Sequence, residues 1–263
     1  MLAVVVAIVS ALALLIGSQL RFQLLGECAA AALASLMVTP LTQVVDVAIT
    51  RRASGQASMV GALLQCTGEW LKSPISLLQQ PAFLLCWFVY LATYTSANLI
   101  TLVCSELSFS PVLPKLLGVT AVNMAACTYK DARLAQIFSQ SDTSAKPFPA
   151  VGYALLVLRD VLANGAGFTL PPMVAPLLSN MVAVDRQAAV AQILVPAAIN
   201  TITTPIQSLA LSLYNQPEYS AAQHARAVAS TYLGATSFKI LKGVAAYGIG
   251  GLSNTALRAR FIS

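Results

Sequence analysis

Charge is what this 263-residue sequence has least of: only 9% of its residues are Asp, Glu, Lys or Arg, and acidic residues number nine. A soluble domain carries about a quarter charged residues to face water, so that class is excluded. Catalytic material is equally scarce. There is one histidine, His224, and no H-E-x-x-H, Walker loop or G-x-S-x-G elbow. The glycines of "YGIGG" (Tyr247–Gly251) lack the preceding strand and acidic partner of a dinucleotide site and read instead as positions of close helix packing. The five cysteines, at 28, 66, 86, 104 and 127, show no C-x-x-C spacing and most lie in apolar runs, as small core residues do. The sequence therefore predicts no enzyme, no metal and no cofactor. The basic residues, though in excess, occur singly or in pairs, which is no footprint for nucleic acid.

What the chain does have is apolar length. Hydrophobic residues make up 57% and the mean hydropathy is +0.76, as in an integral membrane protein. Apolar blocks fall at about 2–20, 25–49, 81–103, 110–127, 151–178, 188–213 and 227–252, each near the roughly 20 residues of a helical span. They hold Gly, Pro and Ala without the dyad alternation of an outer-membrane barrel, so the fold class is all-α. Block 2–20 lacks a basic n-region and reads as a retained hydrophobic helix rather than a signal peptide.

The basic residues outside these blocks alternate. Arg51, Arg52 and Lys72, then Lys130, Arg133 and Lys146, then Arg226 follow the second, fourth and sixth blocks, whereas the alternate connections hold only Lys115 and Arg186. The positive-inside rule places the first set on the side from which the chain is inserted. Arg258 and Arg260 fall on the other side.

Two markers recur in step. Thr39-Pro40, Asn123-Met124 and Thr204-Pro205 sit late in apolar blocks at intervals of 84 and 81 residues. Pro81, Leu162 and Ala245 occupy similar places in "LLQQPAFLLCWF", "LRDVLANGAGF" and "LKGVAAYGIGG" at intervals of 81 and 83. A shared period predicts three αα repeats at about 25–106, 107–185 and 186–255, preceded by the N-terminal hydrophobic helix (1–24) and followed by a basic tail (256–263). Pro40 and Pro205 are the predicted helix kinks.

On these markers the chain resembles the mitochondrial carrier family. Arg159-Asp160-Val161-Leu162 is similar to the R-D-x-P form of its fourth helix, with Phe168 at the family's aromatic position; Lys242-Gly243-Val244-Ala245 is a weaker echo, and Leu78-Gln79-Gln80-Pro81 keeps the proline. The resemblance implies a six-helix carrier-like bundle, a mitochondrial inner-membrane location and cardiolipin bound near Tyr232 and Gly234 of "TYLGATS". It also implies that the gate positions are degenerate. They read Thr42 and Val45, Ala126 and Tyr129, and Gln207 and Ala210, so no ionic gate forms from them.

Two functions follow as expectations. The first is a structural or accessory component docked to subunits of a large inner-membrane complex of respiratory or ATP synthase type. The second is a solute carrier for a small anionic or zwitterionic metabolite. In that reading Arg159 and Asp160, with Lys239 and Lys242 on one face of the last block, form the binding site or an internal salt bridge, and Tyr90 and Tyr94 line its wall. Arg159 and Asp160 are neighbours in sequence, about 100° apart on a helix, so each is expected to need a partner elsewhere, Lys239 and Lys242 being the candidates for Asp160.

Overall fold

The computed structural model describes residues 18–139, 146–166 and 170–262. The predicted hydrophobic helix at 2–20 lies almost entirely outside the described residues, as does Phe168. All regular structure among the described residues is helical: α1 (Ser18–Ala53), α2 (Met59–Lys72), α3 (Pro74–Leu78), α4 (Pro81–Glu106), α5 (Val112–Ile137), α6 (Ala150–Asn164), α7 (Leu170–Val174), a 3-10 turn (Ala175–Leu178), α8 (Val184–Asn215), α9 (Ala221–Ala245), a π-helical turn (Ala246–Gly251) and α10 (Leu252–Ile262). Four of them are long and apolar enough to cross a membrane, namely α1, α4, α5 and α8.

The helices that resulted differ from the apolar blocks in ways that follow from pairing. α1 runs without interruption from Ser18 to Ala53, through the expected boundary at residue 25. α5 continues to Ile137, ten residues past the predicted end of its block, because the charges that stop the apolar run at Lys130 are satisfied inside the protein. The fifth block, by contrast, is broken: α6 ends at Asn164 and α7 begins at Leu170. An unpredicted helix, α2, fills the first basic connection, its N-terminus capped by the Ser58 hydroxyl, which accepts from the Gly61 N–H at 3.1 Å.

In sequence order α1, α4, α5, α6, α8 and α9 each pack on the next, and α9 and α10 return to α1, so the helices enclose a central space. α1 shows how a membrane helix is faced. It buries Ala30, Ala31, Ala34, Ser35, Val38, Thr39 and Thr42 and exposes Leu25, Leu33, Leu36, Met37 and Leu41. Small and hydroxylated side chains allow close approach inside, while the large aliphatics face outward, where lipid is as favourable as a core. The hydroxyls are satisfied locally: Thr39 donates to the Ser35 carbonyl at 2.6 Å. Pro40 lies inside α1 and Pro205 inside α8, at the predicted positions, with Pro196 also inside α8. Each removes one helical N–H donor.

One end of the bundle gathers the basic residues. Arg51, in the last turn of α1, pairs with Glu69 of α2 at 3.6 Å and lies over the Phe138 ring at 5.0 Å. Gln216, after α8, reaches the Ala53 carbonyl, and Gln56 donates to the Phe138 carbonyl. Beneath this rim Val45, Ile49, Ala132, Ala135, Phe148, Leu156, Leu211 and Tyr214 form a continuous apolar plug.

Candidate functional site

Directly inside the plug lies a network of charges from four helices. Asp46 of α1 accepts from Lys130 of α5 at 2.6 Å and from Lys242 of α9 at 2.5 Å. Lys130 also meets its neighbour Asp131 at 2.8 Å, and Asp131 in turn holds Arg159 of α6. Gln207 of α8 donates to Asp131 at 3.3 Å, bringing in a fifth helix. Asp46, Lys130, Asp131, Arg159 and Asp160 are all buried. Ions removed from water are tolerated only when paired, and here each carboxylate bridges groups from different helices, so the network ties the bundle together at this level.

Two sequence expectations are corrected here. Arg159 and Asp160 do meet directly, with Nη2 of Arg159 2.6 Å from Oδ1 of Asp160. The contact is a charge approach rather than an aligned hydrogen bond, since Nη2 and Nε of Arg159 have no acceptor in line; long side chains bridge the angle that separates their Cα atoms. Secondly, Lys242 pairs with Asp46, not with Asp160, whose other oxygen accepts from the Thr128 hydroxyl at 3.0 Å. The expected gate positions are neutral as read, yet residues beside them, Asp46, Lys130 and Asp131, make an ionic floor. Sequence reasoning missed these three. It read Lys130 as a loop charge and passed over Asp46, although an aspartate inside an apolar run of α1 is the signal that marks a buried partner.

On the side of the floor away from the basic end is a cavity of about 400 Å³, within the range of small-molecule sites. Arg159, Asp160, Lys239, Lys242, Tyr90 and Tyr94, the six residues predicted for a solute site, all line it. Asn123, Asn164, Asn200 and Thr203 add neutral polar groups to a wall that is otherwise largely aliphatic and aromatic. Along α8 the lining runs from Gln207 to Ile193, about 21 Å at the helical rise of 1.5 Å per residue.

The wall has a break in its helical ladder. The π-helical turn Ala246–Gly251 directs the Ala246 carbonyl to the Tyr94 hydroxyl, which donates to it at 3.1 Å. Wider turns of this kind leave backbone groups to be satisfied by other elements.

A second polar cluster sits toward the other end of α1. Glu27 takes a bidentate pair from Arg258 of α10 at 2.5 and 2.6 Å. Beside it Asn98 of α4 and Asn254 of α10 exchange amide hydrogen bonds at 3.1 and 2.9 Å. Nineteen residues separate Glu27 from Asp46, about 28 Å along a helix, close to the thickness of a hydrocarbon core.

The proposed cardiolipin element does not hold in this fold. Tyr232 and Gly234 lie about three turns inside α9, whose N-terminus is capped at Ser220; the unpaired N–H groups that attract phosphate are confined to the first turn. Gly234 instead faces Met59 of α2 across a helix contact.

A family model described as "Probable citrulline exporter" matches residues 30–262. No curated protein sequence matches the chain. The match overturns the mitochondrial carrier resemblance, which rested on short echoes in apolar sequence, where a few residue types recur by composition. The mitochondrial address and the cardiolipin partner lose their support with it, having come from that resemblance. With a membrane-spanning helical bundle around a polar, charge-lined cavity, and a match covering nearly the whole chain, the protein belongs to the probable citrulline exporter family.

Proposed function

We propose that the protein is a membrane transporter that exports a small zwitterionic amino acid, citrulline in keeping with its family's description, and that it performs no covalent chemistry. The observation that carries this reading is the central cavity, which sets both signs of charge and several amide groups around a volume suited to one metabolite. Citrulline is an α-amino acid with a neutral ureido side chain. Its charged end is matched by groups on the ionic floor, and its ureido group by the amides of Asn123, Asn164 and Asn200 on the wall. The reading of the protein as an accessory subunit has no comparable support, since a docking scaffold needs no polar chamber.

The six principal helices, α1, α4, α5, α6, α8 and α9, pack in succession around that chamber. Transport then requires alternate closure. The ionic floor and the apolar plug beneath it close the basic end, and the Glu27–Arg258 and Asn98–Asn254 contacts brace the other end on the α1, α4 and α10 side. Opening the floor would exchange its ion pairs for contacts elsewhere, and a bound substrate favours whichever state it fits better.

The test is uptake of radiolabelled citrulline by purified protein in liposomes, with citrulline on the far side of the membrane. Saturable exchange that Arg159→Ala removes is expected. Protein that is monodisperse yet moves no citrulline in either direction would refute the reading.

A further inference from the structure

Three carboxylates, Asp46, Asp131 and Asp160, and three of the cations, Lys130, Arg159 and Lys242, are mutually paired in the floor. Lys239 is the fourth cation. It lines the same cavity, half-buried, one turn before Lys242 on α9, and has neither a hydrogen bond nor a carboxylate within ion-pair distance among the described residues. The cavity wall it shares carries three further cations, Lys130, Arg159 and Lys242, against two carboxylates, Asp46 and Asp160. An ammonium in this setting is costly inside a membrane protein, and the carboxylates that attract it from a distance, Asp46 and Asp131, are already held by other cations. Such a group is explained when something else supplies the missing anion.

Resting on the transport reading above, we propose that Lys239 is the receptor for the substrate's carboxylate, and that the surplus positive charge it gives the cavity excludes amino acids with a cationic side chain. The floor is already neutral as a set of six groups, so the seventh sets the sign. A carboxylate placed at Lys239 brings the site to balance. The α-ammonium of the same molecule then lies toward Asp160, whose approach to Arg159 is unaligned and leaves capacity for a donor. Arginine has the same length as citrulline but replaces the ureido oxygen with a charged nitrogen. It would bring a second cation into a chamber whose carboxylates are already bridged. Citrulline presents only a neutral donor and acceptor group there.

The geometry makes Lys239 costly to stability and useful only when substrate is present. Replacement by methionine, which keeps length and removes charge, therefore separates a binding role from a structural one. The experiment uses the full chain in detergent and in liposomes, with citrulline, arginine and N-carbamoylputrescine, which is citrulline without its carboxylate, as probes. In the wild type, arginine and N-carbamoylputrescine are expected to compete with labelled citrulline at least tenfold more weakly than unlabelled citrulline does. Lys239→Met is expected to lose at least tenfold in citrulline affinity while its thermal midpoint without ligand stays equal or rises; Lys239→Arg retains uptake within about threefold.

The inference is overturned if Lys239→Met binds citrulline as the wild type does, if free arginine competes as well as citrulline, or if Lys239→Met melts lower and Lys239→Arg fails to retain uptake. Failure of the citrulline reading looks different. Ligand-induced shifts of the thermal midpoint across a panel of carboxylates would then show another carboxylate stabilising the wild type but not Lys239→Met, which upholds the role of Lys239. If no carboxylate stabilises the wild type, both fall.

Discussion

The hydroxyl of Tyr94 occupies the place where a side chain on Gly250 would begin: a Cβ built there would lie 2.0 Å from that oxygen. Tyr94 thus closes α4 onto the π-helical turn between α9 and α10, donating to the Ala246 carbonyl as it does so. Gly250→Ala forces the ring or the turn to move. Overpacking of this kind costs about 1–3 kcal/mol. Tyr94→Phe should cost about 1 kcal/mol through the lost hydrogen bond, and Tyr94→Ala in the Gly250→Ala background should recover part of the overpacking cost. Thermal unfolding of the wild type, Gly250→Ala, Tyr94→Ala and their double variant in one detergent measures the coupling; additive effects would disprove the contact.

Asp46 is the hub of the floor, accepting from Lys130 and Lys242 at once. Asp46→Asn leaves Lys242 without its counter-charge and Lys130 with Asp131 alone, and removing one partner of a buried pair costs about 3–5 kcal/mol. The expected result is a large fall in thermal midpoint together with loss of uptake. Adding Lys242→Met to Asp46→Asn should restore part of the midpoint, because Lys242 is then no longer an uncompensated charge. No recovery in the double variant would argue against the pairing.

Glu27 is 2% exposed and receives two hydrogen bonds from Arg258. Glu27→Gln removes the charge and one arm of the fork while keeping the shape. We expect destabilisation of about 1–3 kcal/mol, less than for the floor because Arg258 retains contact with its surroundings on the outer side. Limited proteolysis near the C-terminus should accelerate as α10 loosens from α1, and cleavage at the wild-type rate would show that the pair does not hold α10 in place.

Cys86 and Cys127 line the cavity, Cys127 the more open of the two. In a variant with Cys28, Cys66, Cys86 and Cys104 replaced by alanine, a membrane-impermeant methanethiosulfonate is expected to label Cys127 from the side opposite the basic rim. Saturating substrate should slow the labelling at least threefold. Labelling only from the basic side would mean that the floor is open, contrary to the arrangement of Asp46, Lys130 and Asp131.

Legibility in the sequence followed the range of the forces involved. The membrane class, the helical fold and four charged residues of the cavity lining, Arg159, Asp160, Lys239 and Lys242, could be read because a charge in an apolar run is visible one segment at a time. Arg159 and Asp160 announced themselves in "LRDVLANGAGF". Lys130 did not, since a lysine at the edge of an apolar block looks the same whether it snorkels to water or turns inward to an aspartate 84 positions earlier. The cardiolipin element at Tyr232 came from the carrier resemblance alone, and the helix start that it needs lies at Ser220.

Composition alone required a bilayer, and the spacing of apolar residues required helices, because both depend on free energies summed over single segments. Which charges neutralise one another depended on packing. Asp46 finds Lys130 and Lys242 from helices far apart in sequence, and only that three-dimensional accounting leaves Lys239, among the described residues that line the cavity, as a cation without a paired anion. Electrostatic pairing acts over a few ångströms and ignores chain order, so the sign of the chamber, and with it the kind of solute it suits, emerged from the assembled bundle.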